Sequence, residues 1–161
     1  MSDGALYLVR HAKAGDRSSW GGDDLVRPLS KKGRAQAARL AVRLEPLVSP
    51  HRTARLISSP YTRCRQTLEP LAGLLDRPIV GDDALAEGYD RDGALMLITG
   101  VPVGSVLCSH GDVIPDVMAA LERRGALIVD EPDWRKASCW VLERRDGDVV
   151  RATCWPPPAD D

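Results

Sequence analysis

The sequence contains no phenylalanine, and aromatic residues make up only 4% of it. Large rings therefore cannot fill the interior, and the core must be mainly aliphatic. No apolar run approaches the roughly 18 residues of a membrane span, which excludes a transmembrane helix. The first residues carry neither a basic stretch nor a long apolar one. They do not read as a signal peptide, and the expected compartment is the cytoplasm. The four cysteines, Cys64, Cys108, Cys139 and Cys154, show no C-x-x-C spacing. Two of them lie in apolar, strand-like runs, so buried free thiols are expected rather than a disulfide framework or a zinc site. No P-loop, dinucleotide-binding glycine fingerprint or H-E-x-x-H motif occurs. An excess of either charge is missing too. The 22 Lys+Arg face 23 Asp+Glu, for a net charge of −1, which speaks against the broad basic field of a nucleic-acid binder.

Lysine is scarce. Lys13, Lys31, Lys32 and Lys136 stand against eighteen arginines. The plain reading of that excess is codon bias in a GC-rich genome. Arginine is also the better planar fork for carboxylates and phosphates, so position has to separate the ordinary arginines from any functional ones.

The 161 residues, 43% hydrophobic and 28% charged, suit one soluble domain. We expect it to span residues 1–155, followed by a Pro-rich, disordered tail over 156–161. Strand and helix signals alternate. Strands are expected at 5–10 (ALYLVR), 54–58, 78–80 and 105–109. Helices are expected from the Ser30 N-cap to about residue 48, and over 61–75, 90–99 and 113–124. Ala37, Leu40, Ala41 and Leu44 recur at helical spacing. Pro115 fits its helix because it lies in the first turn, where no intrahelical donor is needed. Two β-rich runs, 137–143 and 149–154, flank Asp146-Gly147, a hairpin turn signal. The expected fold is α/β: three layers, α/β/α, around a mostly parallel central sheet, with a C-terminal antiparallel hairpin at the edge.

In such sheets ligands bind beyond the carboxyl ends of the strands. The first strand ends in Arg10-His11-Ala12, the second in the segment SSPYTRCRQT, and a later one in Ser109-His110-Gly111-Asp112. Arg63 falls in the first turn of a helix, a place cations ordinarily avoid. It is either a solvent-facing side chain or one that holds an anion together with the helix end. The chain has three histidines, and two of them, His11 and His110, directly follow strands expected to be parallel; His51 looks ordinary. Two imidazoles and two guanidiniums on one sheet edge suit phosphoryl transfer. Neutral imidazole is a competent nucleophile at phosphorus. Guanidiniums spread charge over the oxygens of the transferred group, so no metal or other cofactor is required.

The segments LYLVRHA, SSPYTRCRQT and SHGD resemble the signature blocks of the histidine phosphatase superfamily, which includes the phosphoglycerate mutases. Ala12 stands where that family usually has glycine. The short length and the block Leu25-Val26-Arg27-Pro28-Leu29-Ser30 are most similar to the SixA-type phosphohistidine phosphatases. Residues 109–116 and 135–142 also resemble the phosphatase domain that follows the Nudix domain in some MutT-type hydrolases. No Nudix domain is present in this chain.

The resemblance implies that His11 is the nucleophile, neutral at its attacking nitrogen, with the other nitrogen donating to a backbone carbonyl. It implies a phosphate pocket of Arg10, Arg63 and His110, with Arg27 as a further contact. Arg27 can equally be a loop residue paired to Asp23 or Asp24. Glu87 falls where the family's general acid lies. SixA-type members do without this carboxylate, since a phosphohistidine leaving group needs less help than an alkoxide. The implied function is therefore a SixA-like phosphohistidine phosphatase. The alternative is a phosphomonoesterase acting on a small molecule or nucleotide, with Glu87 as the acid. A mutase or a non-catalytic phosphate-binding module fits less well. The expected partner is a phosphorylated protein or small molecule, with no nucleic-acid polymer and no membrane, and monomer is the default state. The segment Trp20-Gly21-Gly22 reads as a turn rather than a lid, and Asp23-Asp24 makes a poor metal site.

Overall fold

A computed structural model describes residues 3–88 and 91–159. Among these residues seven strands form one sheet in the order β3-β2-β4-β1-β6-β7-β5. They are β1 (Gly4–Arg10), β2 (Leu56–Ser58), β3 (Ile79–Gly81), β4 (Val106–Ser109), β5 (Leu127–Ile128), β6 (Cys139–Arg145) and β7 (Asp148–Trp155). Strands β3, β2, β4 and β1 pair in parallel. Strand β6 turns antiparallel beside β1, and β7 pairs antiparallel with β6 through the Asp146-Gly147 turn. The outermost strand on that side is β5, which the sequence analysis did not anticipate. It is only two residues long and pairs parallel with β7. Two residues carry no readable period.

Among the described residues the α-helices are α1 (Lys31–Val48), α2 (Thr62–Leu75), α3 (Arg91–Gly100) and α4 (Val113–Arg123). The expected start of α3, Asp90, lies outside the described residues. Side chains along each strand alternate between the two faces of the sheet. Leu6, Leu8, Ile57, Leu107, Trp140 and Leu142 pack under α3 and α4. Tyr7, Val9, Leu56, Val106 and Cys108 pack under α1 and α2. The sheet thus lies between two helical layers, each presenting one apolar stripe. The core is mainly aliphatic, with Tyr7 and Trp140 as its aromatic members, and Trp140 is the largest fully buried side chain. All four cysteines are buried free thiols. No helix among the described residues is long and apolar enough to cross a membrane.

Two local features set the carboxyl edge of the sheet. Ser30 caps α1, its Oγ accepting from Gly33 N at 3.1 Å. It also donates to Lys13 O at 3.0 Å, which ties the helix start to the loop after β1. The loop between β1 and α1 carries two short 3-10 turns, at Arg17–Ser19 and Asp24–Val26, capped by the Asp16 and Asp23 carboxylates. Trp20 closes a turn by donating its indole N–H to Asp23 O at 2.9 Å.

Candidate active site

His11 follows the last residue of β1, and the chain there is held from both sides. His11 N donates to Ser109 O at 3.0 Å, and Ala12 N donates to Thr67 Oγ1 at 3.0 Å. Thr67 Oγ1 in turn donates to Arg63 O at 2.7 Å, so one hydroxyl links the end of β1 to the first turns of α2. The His11 ring is buried, and its Nδ1 lies 2.8 Å from Ala12 O. A carbonyl can only accept, so Nδ1 carries the hydrogen and Nε2 keeps its lone pair. Burial pushes the His11 pKa down to about 3, and the charges of His110, Arg63 and Arg10 add to that, against the opposing bond to Ala12 O. The ring is neutral across the physiological range.

His110 follows β4 and meets the His11 ring edge-on, with centroids 5.4 Å apart. Its Nε2 is 2.8 Å from Ser59 Oγ and 3.5 Å from Cys64 Sγ. Its Nδ1 lies 3.3 Å from Glu87 Oε1 but out of hydrogen-bond alignment with it. Arg63, in the first turn of α2, is fully buried rather than facing solvent. Its two terminal nitrogens reach Asp24 O at 3.0 Å, Asp24 Oδ2 at 3.1 Å and Glu87 Oε1 at 2.8 Å. Arg10 donates to Trp134 O. Its guanidinium lies over Gly111, where an added Cβ would come within 2.7 Å of it.

Among the described residues, three buried nitrogens of this cluster have no hydrogen-bond partner: Arg10 Nε, Arg63 Nε and His110 Nδ1. Unpaired buried donors are costly, by about 1–3 kcal/mol each. Three of them, contributed by β1, α2 and the end of β4 and grouped beside a neutral imidazole, form a cradle for an anion with several oxygens. Arg27 is buried as well, donating from Nε to Asp24 Oδ1 at 2.8 Å and from Nη1 to Gly15 O. It both pairs with Asp24 and lines the cleft. The cleft has a volume of about 780 Å³, and its lining carries five basic side chains against three acidic ones. Lys13, Arg17 and Lys136 add to Arg10 and Arg27, and the acids are Asp16, Glu87 and Asp112.

The structure thus brings Arg10, His11, Arg63, His110, Glu87 and Arg27 together. Sequence analysis offered Asp24 as a partner for Arg27, which the structure shows; it missed the link from Asp24 to Arg63, and it missed Thr67 and Ser59. The Asp24 carboxylate links Arg27 to Arg63, with Arg17 3.6 Å away. Burial alone would raise the Asp24 carboxyl, but the three arginines outweigh it and hold it below its ordinary value. The spacing of Asp24 to Arg27 signalled one half of this link. The other half, to Arg63, crosses 39 residues of sequence.

An open α/β sheet with two imidazoles and a set of buried guanidiniums at its carboxyl edge defines a phosphate-handling domain. The chain belongs to the histidine phosphatase superfamily (branch 1), whose sequence pattern matches residues 6–91. That match includes Arg10, His11, Arg27, Arg63 and Glu87 and stops short of His110. The chain is 38% identical over 159 residues to the 8-oxo-(d)GTP phosphatase of Mycolicibacterium smegmatis, covering 95% of this chain and 48% of that protein. It therefore spans about half the length of this relative. Among solved structures, it resembles the protein histidine phosphatase SixA complexed with tungstate, at TM-score 0.70 and 20% identity, covering 94% of each chain. It also resembles the mycobacterial glucosyl-3-phosphoglycerate phosphatase, at TM-score 0.67 and 18% identity, covering 96% of this chain and 99% of that one. At those identities the likeness concerns the fold.

Proposed function

We propose that this chain is a phosphatase that works through a phosphohistidine on His11 and takes a nucleotide as substrate. The observation that carries the chemistry is the triad of unpaired buried nitrogens, Arg10 Nε, Arg63 Nε and His110 Nδ1, beside a neutral His11. In this reading His11 Nε2 attacks phosphorus in line with the leaving oxygen. The N–P bond forms as the P–O bond breaks, and the guanidiniums take up the charge on the equatorial oxygens. Water then attacks the phosphohistidine, releasing phosphate and restoring neutral His11. Arg10, Arg27 and Arg63 supply the positive charge, so no metal is called for.

Glu87 is the carboxyl that serves the leaving oxygen in the first step and the attacking water in the second. Its support is position: at the cleft it pairs with Arg63 at 2.8 Å and lies 3.3 Å from His110 Nδ1. A carboxyl held there favours a phosphoester or phosphoanhydride over phosphohistidine, whose leaving nitrogen needs less assistance. The nucleotide assignment is supported by the 38% identical 8-oxo-(d)GTP phosphatase. The SixA-like reading draws only on a fold likeness at 20% identity.

Hydrolysis of an aryl phosphate, with and without chelator, tests the mechanism. His11→Ala should abolish turnover in both, and retained activity would overturn the assignment. A panel of nucleotides, sugar phosphates and a phosphohistidine protein tests the substrate class. Glu87→Gln should lower kcat on alkyl phosphates by about 100-fold or more. Equal rates in variant and wild type would remove Glu87 from the reaction.

A further inference from the structure

A second cavity, of about 660 Å³, adjoins the active-site cleft, and the two share Arg10, Lys13 and Lys136. These three residues form the ridge between them. The second cavity adds Lys32 and Arg135 to its lining, which has no acidic side chain among the described residues. Arg135 is already engaged by Asp133, its guanidinium bonding both carboxylate oxygens at 2.6–3.2 Å. Lys136 differs. It lies among Arg10, Arg27, Lys13 and Arg63, and burial followed by these positive neighbours lowers its ammonium pKa.

The backbone is strained to put it there. Ala137 adopts φ 69°, in the left-handed region, which costs a residue with a Cβ about 1–2 kcal/mol. That conformation is held by Ala137 N, which lies 3.1 Å from both Arg10 O and His11 O. The loop before β6 is thereby fastened to the two residues that begin the site. Strain kept beside a reacting group is a mark of function, and here its result is a concentration of positive charge one step outward from the phosphate cradle.

We propose that Lys13 and Lys136 form a second anion subsite, which holds the retained phosphate of a substrate carrying at least two linked phosphates. This rests on the phosphatase reading above and narrows it to phosphoanhydride cleavage. The terminal phosphoryl group occupies the cradle of Arg10, Arg63 and His110, and its neighbour lies on the ridge. His11 Nε2 bonds to the terminal phosphorus, and the bridging P–O bond breaks with its electron pair staying on the retained phosphate. Lys13 and Lys136 neutralise the charge that accumulates there. Water then splits the N–P bond, so one diphosphate and one water give a monophosphate and inorganic phosphate. The monophosphate product has no second phosphate to engage the ridge and is a poor substrate for a further round.

The test compares kcat/KM for a nucleoside diphosphate, the matching monophosphate and an aryl phosphate, in wild type, Lys136→Met, Lys136→Arg and Lys13→Met. Wild type should prefer the diphosphate over the monophosphate. Each Met variant should lower the ratio of diphosphate to aryl phosphate activity by about 10–100-fold, the worth of a lost charge-assisted contact. Lys136→Arg should restore most of it. An unaltered ratio in both Met variants, with aryl phosphate still turned over through His11, would overturn the subsite and leave the phosphatase standing. Loss of all turnover on His11→Ala alongside a wild-type preference for a phosphohistidine protein would overturn the subsite from the other side. A folding defect is recognised by a fall in thermal stability shared by Lys136→Met and Lys136→Arg.

Discussion

His11 illustrates how much a side chain owes to its surroundings. Its ordinary pKa is near 6.5, and in this fold burial and the neighbouring cations bring it down to about 3. The unfolded chain therefore binds one more proton than the folded chain between those two values. The stability that a neutral, buried His11 contributes is whole above about pH 6.5 and is lost as pH falls toward 3, by roughly 4–5 kcal/mol in all. His11→Asn removes that component, so wild type should lose stability faster than the variant as pH falls from about 6.5 to 4. Denaturant unfolding across that range checks it, and parallel curves would mean that His11 titrates normally. In the active range, the acid limb of the rate profile should not carry an ionisation of His11 near its ordinary value. Gly111 offers a second residue-scale outcome. A Cβ there would lie 2.7 Å from the Arg10 guanidinium, so Gly111→Ala should displace that guanidinium and raise KM for an aryl phosphate while the fold stays intact by circular dichroism.

At the scale of elements, the helices matter through what they press against. Helices α1 and α2 continue through Pro46 and Pro70, each a break worth about 3 kcal/mol in an isolated helix interior. They persist because their apolar stripes bury Leu40, Leu44, Leu68 and Leu71 against the sheet, and tertiary packing dominates helix stability. Near its start α1 approaches the loop after β1 so closely that a Cβ on Gly33 would fall 1.9 Å from Lys13 O. Gly33→Ala should cost about 1–3 kcal/mol, the usual penalty of overpacking, measurable as a lower denaturation midpoint. The link between β1 and α2 is a single hydroxyl. Thr67→Val leaves Ala12 N–H without its acceptor and should cost about 1–3 kcal/mol, with a matching loss of activity as Arg63 and His11 lose register. Thr67→Ser should recover both, and a Val variant as stable and active as wild type would show that the hydroxyl does not couple the two elements.

For the molecule as a whole, the thiols report on its integrity. All four cysteines are free and buried. The native protein should react negligibly with an aromatic disulfide reagent and release four equivalents once unfolded in denaturant. Reductant should leave the melting temperature unchanged, and a drop on reduction would reveal a disulfide. The two-layer burial also fixes the polarity of the molecule: both helical layers are apolar inward, and the charge that matters gathers at one edge of the sheet. A near-zero net charge of −1 therefore coexists with a cleft whose lining carries an excess of basic side chains, five against three.

The sequence alone determined the periodic parts. Short apolar and β-rich runs located the six longer strands, and helical spacing with cap and stop signals located all four described helices. The Ser30 cap and the Asp146-Gly147 turn were legible because their partners lie within a few residues. The blocks around Arg10-His11, Arg63 and His110 were legible because parallel strands must deliver their ends to one edge. Tertiary structure alone decided the rest. The two-residue β5 has no period to read, and the Asp24 link to Arg63, the Thr67 link to Ala12 and the Ser59 contact with His110 join residues 39 to 55 positions apart. Ala137 takes a left-handed conformation that its residue type disfavours, because two carbonyls of the neighbouring strand end accept from its N–H. Local preference is a sum over near neighbours and can be read along the chain. The charge, protonation and orientation of the site are sums over groups that only the fold brings within reach.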